Sequence, residues 1–303
     1  MPKPPSDVLW QRKDVMLVAA GSGPCLRELY YRAVEQGKLQ QLMLCRMTDD
    51  DYTMGTAEEK IMRVIKQAAA VKGVQVVVLY LNCLDILTRL DFDYLERHLF
   101  EATGVMVRCL FRGPLGKMDI GHFKPVDEFM AELPEENGYI SHNLYQLPPL
   151  ATDVAGVIDT LPANEAKVLV APSGCRACLR DGDLLKKTQG VYALETKKQD
   201  FIYGIEDNCV KQCKELMADE KYNSLNLISS AVAAFIGFDG NWVANSMENN
   251  LKTRSFNMDG FYDAVYGVSC TQELLAAEEQ ELYIKPAREI LILGYSPQIS
   301  ISR

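Results

Sequence analysis

Four of the nine cysteines in this sequence lie where a thiol can bind a metal as well as fill a core. Cys25 belongs to a glycine turn that follows an apolar run, and Cys83 directly follows another apolar run. Cys175 and Cys178 lie in a similar turn in the second half of the chain. Thiolates are the ligands of iron–sulfur clusters, and four that converge can hold a 4Fe–4S cluster. These four residues are therefore the candidate metal ligands.

Other interpretations of the same thiols stay open. Cys25 and Cys83 can be core residues, because a free cysteine packs like a small hydrophobic side chain. The Cys175-x-x-Cys178 spacing at a predicted helix start is also typical of a redox dithiol, in which the helix N-terminus and Arg176 favour the thiolate. The remaining cysteines are predicted to be structural: Cys45, Cys109, Cys209, Cys213 and Cys270.

Alternating strands and helices are predicted around these turns. Residues 15–20, 76–81 and 105–111 are apolar runs typical of strands buried on both faces. One helix is predicted from Leu26 to about Gln36, and another from Thr56, which has capping-box spacing to Glu59. This alternation indicates a parallel sheet, whose ligands bind outside the carboxyl ends of the strands.

The second half of the chain repeats the order of the first. Asp51 and Gly55 match Asp200 and Gly204 in type and spacing, and each pair precedes an amphipathic stretch. An apolar run also precedes the cysteine turn in both halves. We therefore predict an α/β fold of two tandem Rossmann-like domains, residues 1–150 and 151–303, each with a parallel sheet flanked by helices. The two are expected to be related by a pseudo-two-fold internal repeat.

Charge and hydropathy narrow the class of partners. The formal net charge is −9, so the chain has no bulk attraction for nucleic acid or for anionic lipid. No apolar run reaches the roughly 18 residues that cross a bilayer, and residues 1–14 lack the apolar core of a signal peptide. A cytoplasmic protein that binds neither nucleic acid nor membrane is expected.

Taken together, the motifs resemble the nitrogenase component 1 family, which includes dark-operative protochlorophyllide reductase and cofactor-assembly scaffold proteins. The first copy has Gly23-Pro24-Cys25, Gly55 and Cys83; the second has Gly174, Cys175 or Cys178, Gly204 and Ile236-Gly237-Phe238-Asp239. The sequence departs from the family pattern at three places. It has no counterpart, before Cys25, of an extra N-terminal cysteine that many members use as a ligand. The first copy has Thr88-Arg89 instead of isoleucine-glycine, and the second has Ala231 where the strand-end cysteine would be.

The resemblance implies an iron–sulfur electron-transfer or reductase subunit that receives electrons from an ATP-dependent protein similar to the nitrogenase iron protein. It implies a 4Fe–4S cluster that lies between two related units. Here these units would be the two halves of one chain, two copies of the chain in a homodimer, or this chain and a related subunit. Its metal ligands would be Cys25, Cys83, Cys175 and Cys178, with Gly23, Pro24 and Gly174 in the cofactor-binding turns. The competing interpretation, favoured by Ala231, is a non-catalytic α/β binding or cofactor-assembly subunit without a cluster. Nothing matches the cysteine and histidine that hold the substrate-reducing cofactor of nitrogenase, so dinitrogen reduction is not expected.

Overall fold

The computed structural model describes residues 4–117, 124–141, 146–173, 175, 190–218, 221–247 and 251–282. The chain divides into two compact units, Met1–Pro149 and Leu150–Arg303. Two of the predicted site residues, Gly174 and Cys178, lie outside the described residues. No helix in the described ranges is long and apolar enough to cross a membrane.

The first unit alternates strands with helices. Its elements are α1 (Pro5–Leu9), β1 (Val15–Gly21), α2 (Gly23–Glu35), β2 (Leu42–Arg46), α3 (Asp49–Thr53), α4 (Ala57–Ala69), β3 (Val76–Leu81), α5 (Cys83–Leu87), α6 (Phe92–Thr103), β4 (Met106–Phe111), α7 (Pro114–Lys117) and α8 (Val126–Ala131). Every residue of β1 and β3 is buried, which explains their continuous apolar runs.

The second unit follows the same plan. Its elements are α9 (Asp153–Thr160), β5 (Ala166–Val170), β6 (Val191–Ala193), α10 (Asp200–Tyr203), α11 (Glu206–Met217), β7 (Ser224–Ser229), α12 (Ala231–Phe235), α13 (Gly240–Asn245), β8 (Lys252–Phe256) and α14 (Ala264–Leu282). Strands β5 and β7 are buried along their whole length. Cys209 and Cys213 on α11 belong to the core of this unit, as predicted.

Each unit contains one four-stranded parallel sheet, and the two sheets have the same topology. The strand order is β2-β1-β3-β4 in the first and β6-β5-β7-β8 in the second, and every strand pair is parallel. The prediction of an α/β fold built from two Rossmann-like units with parallel sheets is confirmed.

Local details repeat along with the topology. Asp91 and Asp239 each cap a helix, accepting a hydrogen bond at 2.9 Å from the backbone N–H three residues on. Gly55 and Gly204, each just before the long helix that follows, have positive φ angles of 74° and 111°. Such angles favour glycine, which explains why both copies have it at this position.

One predicted helix start and one predicted capping box were wrong. Helix α2 begins at Gly23 instead of Leu26, because Pro24 occupies the first turn, where its fixed φ suits a helix. Thr56 precedes α4 but makes no capping bond with its side chain. Its hydroxyl instead donates to Asp51, 3.3 Å away. The capping box of this region belongs to α3, where Thr48 and Asp51 hydrogen-bond reciprocally.

Candidate thiol site at the edge of the first sheet

Cys25 and Cys83 follow neighbouring strands of the first sheet. Strands β1 and β3 pair directly and in parallel, so their carboxyl ends meet at one edge. Cys25 lies in the first turn of α2 and is half-buried, whereas Cys83 begins α5 and is 8% exposed. Gly23 and Pro24, the other predicted residues of this turn, are buried at the start of α2.

Arg112, which directly follows β4, brings a positive charge to the same edge. Its Nη2 atom lies 3.5 Å from the carbonyl oxygen of Cys25, and its guanidinium stacks 4.7 Å from the ring centroid of Tyr80. Burial alone would lower the pKa of Arg112, but Tyr80, Cys25, Glu28 and Cys83 together raise it. The guanidinium therefore interacts electrostatically with both thiols and favours negative charge between them.

Gly113 lets the backbone approach Cys83 closely. Its φ angle is +86°, and a Cβ atom at this position would lie 2.9 Å from the Sγ atom of Cys83. We refer to Cys25, Cys83, Arg112 and Gly113 as the thiol site. The sulfur of Cys83 thus packs closely against the backbone of Gly113, where a larger residue would collide with it.

A buried network of hydrogen bonds joins residues that neighbour Cys83 in sequence to Tyr52. Asn82 donates from Nδ2 to the carbonyl oxygen of Ala20 at 2.9 Å, and its Oδ1 accepts from the N–H of Leu84 at 2.7 Å. Asp85 accepts from the Asn82 N–H at 2.9 Å and from the Tyr52 hydroxyl at 2.8 Å. We refer to Tyr52, Asn82 and Asp85 as the Asn82 network. It joins the ends of β1 and β3 to α3.

Two members of this network have shifted pKa values. Burial raises the pKa of Asp85 to about 6, although the hydrogen bonds from Asn82 and Tyr52 oppose the shift. Burial, followed by the charge of Asp85, raises the pKa of Tyr52 well above its ordinary value. The Cys25 thiol adds a smaller electrostatic contribution of the same sign, so the phenol interacts with Cys25 as well.

The N-terminus of helix α2 adds positive electrostatic potential near Cys25. Its N-cap residue, Ser22, makes no side-chain capping bond, and its first turn contains no acidic residue. The positive end of the helix dipole is therefore not neutralised locally, which favours an anion near Cys25.

The first unit supplies two thiols to this site. Among the described residues, no group of three or more cysteine, histidine, aspartate or glutamate side chains is arranged to hold a metal ion. Cys45, at the end of β2, is buried, and burial raises its pKa to about 12, which fits the predicted structural role. Cys109 on β4 has a raised pKa, again mainly through burial.

The matching edge of the second sheet has different chemistry. Cys175 follows β5 and is half-buried, and its N–H donates to the carbonyl oxygen of Pro172 at 2.8 Å. The register of the two sheets aligns Tyr80 with Ile228 and Arg112 with Met258. Both replacements are apolar core residues. The second copy therefore retains a cysteine after its first strand, and an apolar side chain occupies the position that matches Arg112.

The sequence predicted the thiols but missed the charged residues around them. Arg112, Tyr52 and Asp85 come from three separate segments, and only the strand order brings them together. A signal was present for Arg112 and for Asp85. Arg112-Gly113 follows a strand whose end belongs to the same edge, and Asn82 and Asp85 have capping-box spacing.

Comparison with known proteins gives weak likenesses. No family model and no curated protein matches the chain. Among solved structures, nitrogenase Cp1 at pH 5 is 16% identical with a TM-score of 0.35, covering 47% of this chain and 33% of that one. A carbohydrate transporter from Acidothermus cellulolyticus in complex with myo-inositol is 12% identical with a TM-score of 0.28, covering 89% of each chain. Glutamate racemase from Aquifex pyrophilus is 11% identical with a TM-score of 0.22, covering 86% and 83%. With such scores, none of the three supports a conclusion about activity.

Proposed function

We propose that this protein is an iron–sulfur electron-transfer or reductase subunit, similar in role to nitrogenase component 1. Cys25 and Cys83 would be two ligands of a 4Fe–4S cluster, and Cys175 and Cys178 the others. The observation that carries the proposal is the placement of Cys25 and Cys83 after two paired parallel strands, with the Nη2 atom of Arg112 3.5 Å from the carbonyl oxygen of Cys25.

The chemistry of the thiol site fits such a cluster. Thiolates are its usual ligands, and a cluster held by four thiolates carries net negative charge. Arg112 and the uncapped start of α2 both favour that charge. When bound, the cluster would supply one-electron transfer, and the surrounding burial and hydrogen bonds would tune its potential.

The remaining ligands would come from the second cysteine turn. Cys175 and Cys178 would supply two thiolates, from the same chain or from a second copy of it. The electron donor, as the resemblance to nitrogenase component 1 implies, would be an ATP-dependent iron protein. Such a subunit would work in the cytoplasm, where thiolate ligands stay reduced.

Anaerobic purification with iron and sulfide reconstitution tests the proposal. We expect a brown protein with an electron paramagnetic resonance signal after reduction, and loss of both colour and signal in Cys25→Ala and in Cys83→Ala. Cys45→Ala is the matched control, because its thiol lies in the same unit but is inert through burial. A colourless wild-type protein, or colour that survives both substitutions, would contradict the proposal.

A binding or assembly subunit without a cluster is the second candidate. It is favoured by the second copy, in which Ala231 begins α12 at the position that Cys83 occupies on α5. Under this alternative the reconstituted protein takes up no iron. The further possibility of a Cys175/Cys178 redox dithiol predicts that both residues lose their alkylation labels together on oxidation.

A further inference from the structure

We propose that Tyr52, Asn82 and Asp85 are positioning residues, which hold the Cys25 and Cys83 thiols in the arrangement that binds the cluster. This inference rests on the proposed function, because it assigns a role to the residues that surround the same site.

Asn82 connects the two chain segments that carry the thiols. Through Nδ2 it binds the carbonyl oxygen of Ala20 at the end of β1, which leads into Cys25. Through Oδ1 it binds the N–H of Leu84 in α5, directly after Cys83. Asn82 is only 4% exposed, so water competes little for these bonds. One side chain therefore fixes the distance between the two segments.

Asp85 and Tyr52 form hydrogen bonds that hold Asn82 and the start of α5 in place. The Asp85 carboxylate is fully buried and accepts hydrogen bonds from the Asn82 N–H and the Tyr52 hydroxyl. Capping a helix needs only the first of these bonds. The second hydrogen bond comes from Tyr52 on α3. The phenol of Tyr52 also interacts electrostatically with Cys25. The network thus reaches both thiols from three separate segments.

The fold itself does not need this network. The second unit forms a sheet of the same topology with Phe201, Ser230 and Ala233 at the matching positions. That unit also has Ala231 where the first has Cys83. The buried polar network is therefore present in the copy that has the strand-end thiol and absent from the copy that lacks it. Burying a carboxylate lowers the stability of the fold. We expect such a destabilising group to be retained where it serves a functional site.

The double variant Tyr52→Phe/Asp85→Ala tests the proposal, because it installs the residue types of the second copy. Removing both partners leaves no buried carboxylate without its hydrogen bond, so the fold is expected to persist. Asp239→Ala is the control. It removes a cap at the matching edge of the second unit, with no cysteine beside it in sequence.

Two readouts are needed. In the iron-free protein, we expect the Cys83 thiol of the double variant to be alkylated about tenfold faster than in the wild type, because two buried hydrogen bonds to Asp85 are lost. The control should leave that rate unchanged. In the reconstituted protein, we expect the double variant to shift the midpoint potential and the paramagnetic resonance signal of the cluster.

The outcomes separate this inference from the proposed function. If the wild type binds no cluster, the proposed function fails, while the alkylation rates still show whether the network positions the thiols. If the wild type and the folded double variant have the same alkylation rates, potential and spectrum, the positioning role is wrong and the proposed function stands. If the double variant unfolds by circular dichroism, Tyr52→Phe alone replaces it, with the same expected directions.

Discussion

The carboxyl edges of the two sheets differ in chemistry although the sheets share one topology. The first edge contains a thiol, a cation and a buried carboxylate, and the second has apolar or small residues at the matching positions. These pairs are Cys83 and Ala231, Arg112 and Met258, Tyr80 and Ile228, Tyr52 and Phe201, Asp85 and Ala233, and Asn82 and Ser230. Because the backbone arrangement persists without the polar groups, the fold does not require them. Their concentration at one edge points to a site.

The same comparison shows that a difference between the copies on one strand is accompanied by a matching difference on the neighbouring strand. In the first unit, the Asn82 amide fills the space beside Gly21, where a Cβ atom would lie 1.7 Å from Nδ2. In the second unit, Ala171 and Ser230 stand at these positions. The smaller serine leaves room for the alanine, and its buried Oγ atom has no hydrogen-bond partner among the residues that the structure describes. The copy that has serine in place of Asn82 thus has the larger residue, alanine in place of glycine, at the end of the neighbouring strand.

The largest expected contrast involves two arginines at the same register position. Arg254 on β8 is 6% exposed and pairs with Glu165 and Glu278, whereas Arg108 on β4 is 36% exposed and pairs with Glu96. Arg254→Met should lower the free energy of unfolding by about 4 kcal/mol, because it leaves Glu165 buried without its cation. Arg108→Met should cost less than about 1 kcal/mol. Urea unfolding measures both, and equal losses would show that burial does not separate them.

Gly21→Ala is expected to have the next largest effect. The added Cβ atom overlaps the Asn82 side chain, and φ at this position is +142°, so we expect a loss of about 3 kcal/mol. Adding Asn82→Ser, which copies the second unit, should recover part of that loss. A double-mutant cycle measures the coupling, and strictly additive losses would mean that the two positions are not linked as described.

Asp153 in the second unit and Asp14 in the first should make contributions of opposite sign to the pH dependence of stability. Burial, with the charge of Asp259, raises the pKa of Asp153 to about 7 from 3.8. The folded state therefore holds this proton more tightly, and its contribution to stability is lost as pH rises towards 7, by at most about 1.4 kcal/mol per pH unit.

Asp14 in the first unit has the opposite shift. Burial opposes ionisation, but the hydrogen bond and charge of Arg12 outweigh it and lower the pKa of Asp14. Its contribution is present at neutral pH and is lost as pH falls below the ordinary aspartate range. Thermal unfolding across pH should show that Asp153→Asn flattens the decline towards pH 7 and that Asp14→Asn reduces the acid sensitivity. A pH profile that neither substitution alters would contradict these assignments.

The smallest expected effects come from the two equivalent caps. Asp91→Ala and Asp239→Ala each remove one bond from a side-chain oxygen to a backbone N–H, and each should cost about 1 kcal/mol. Equal losses in thermal unfolding would support the local equivalence of the copies. Losses that differ severalfold would show that the surroundings of α6 and α13 dominate over the shared cap.

Strands were the most predictable part of the fold. Strand β3 coincides with the predicted run at residues 76–81, because a strand buried on both faces must be apolar throughout. Helix starts were harder to predict, since Pro24 extends α2 and the Thr56 hydroxyl binds Asp51 instead of its own helix. Capping depends on local angles that residue type does not determine.

The candidate site was predictable only in part. Cys25 and Cys83 stood out because each follows an apolar run, and parallel strands place such residues at one edge. Arg112 and Tyr52 come from other segments, and their meeting with the thiols depends on the strand order β2-β1-β3-β4. Local sequence does not encode that order. The role of Cys175 and Cys178 as ligands stays a prediction.

Native mass spectrometry of the reconstituted wild-type chain tests the central claim most directly. If the thiols beside Arg112 hold a cluster, the protein, as one chain or as a pair, gains the mass of a 4Fe–4S cluster, and Cys25→Ala and Cys83→Ala abolish that gain. A wild-type mass equal to that of the bare polypeptide under the same anaerobic conditions would contradict it.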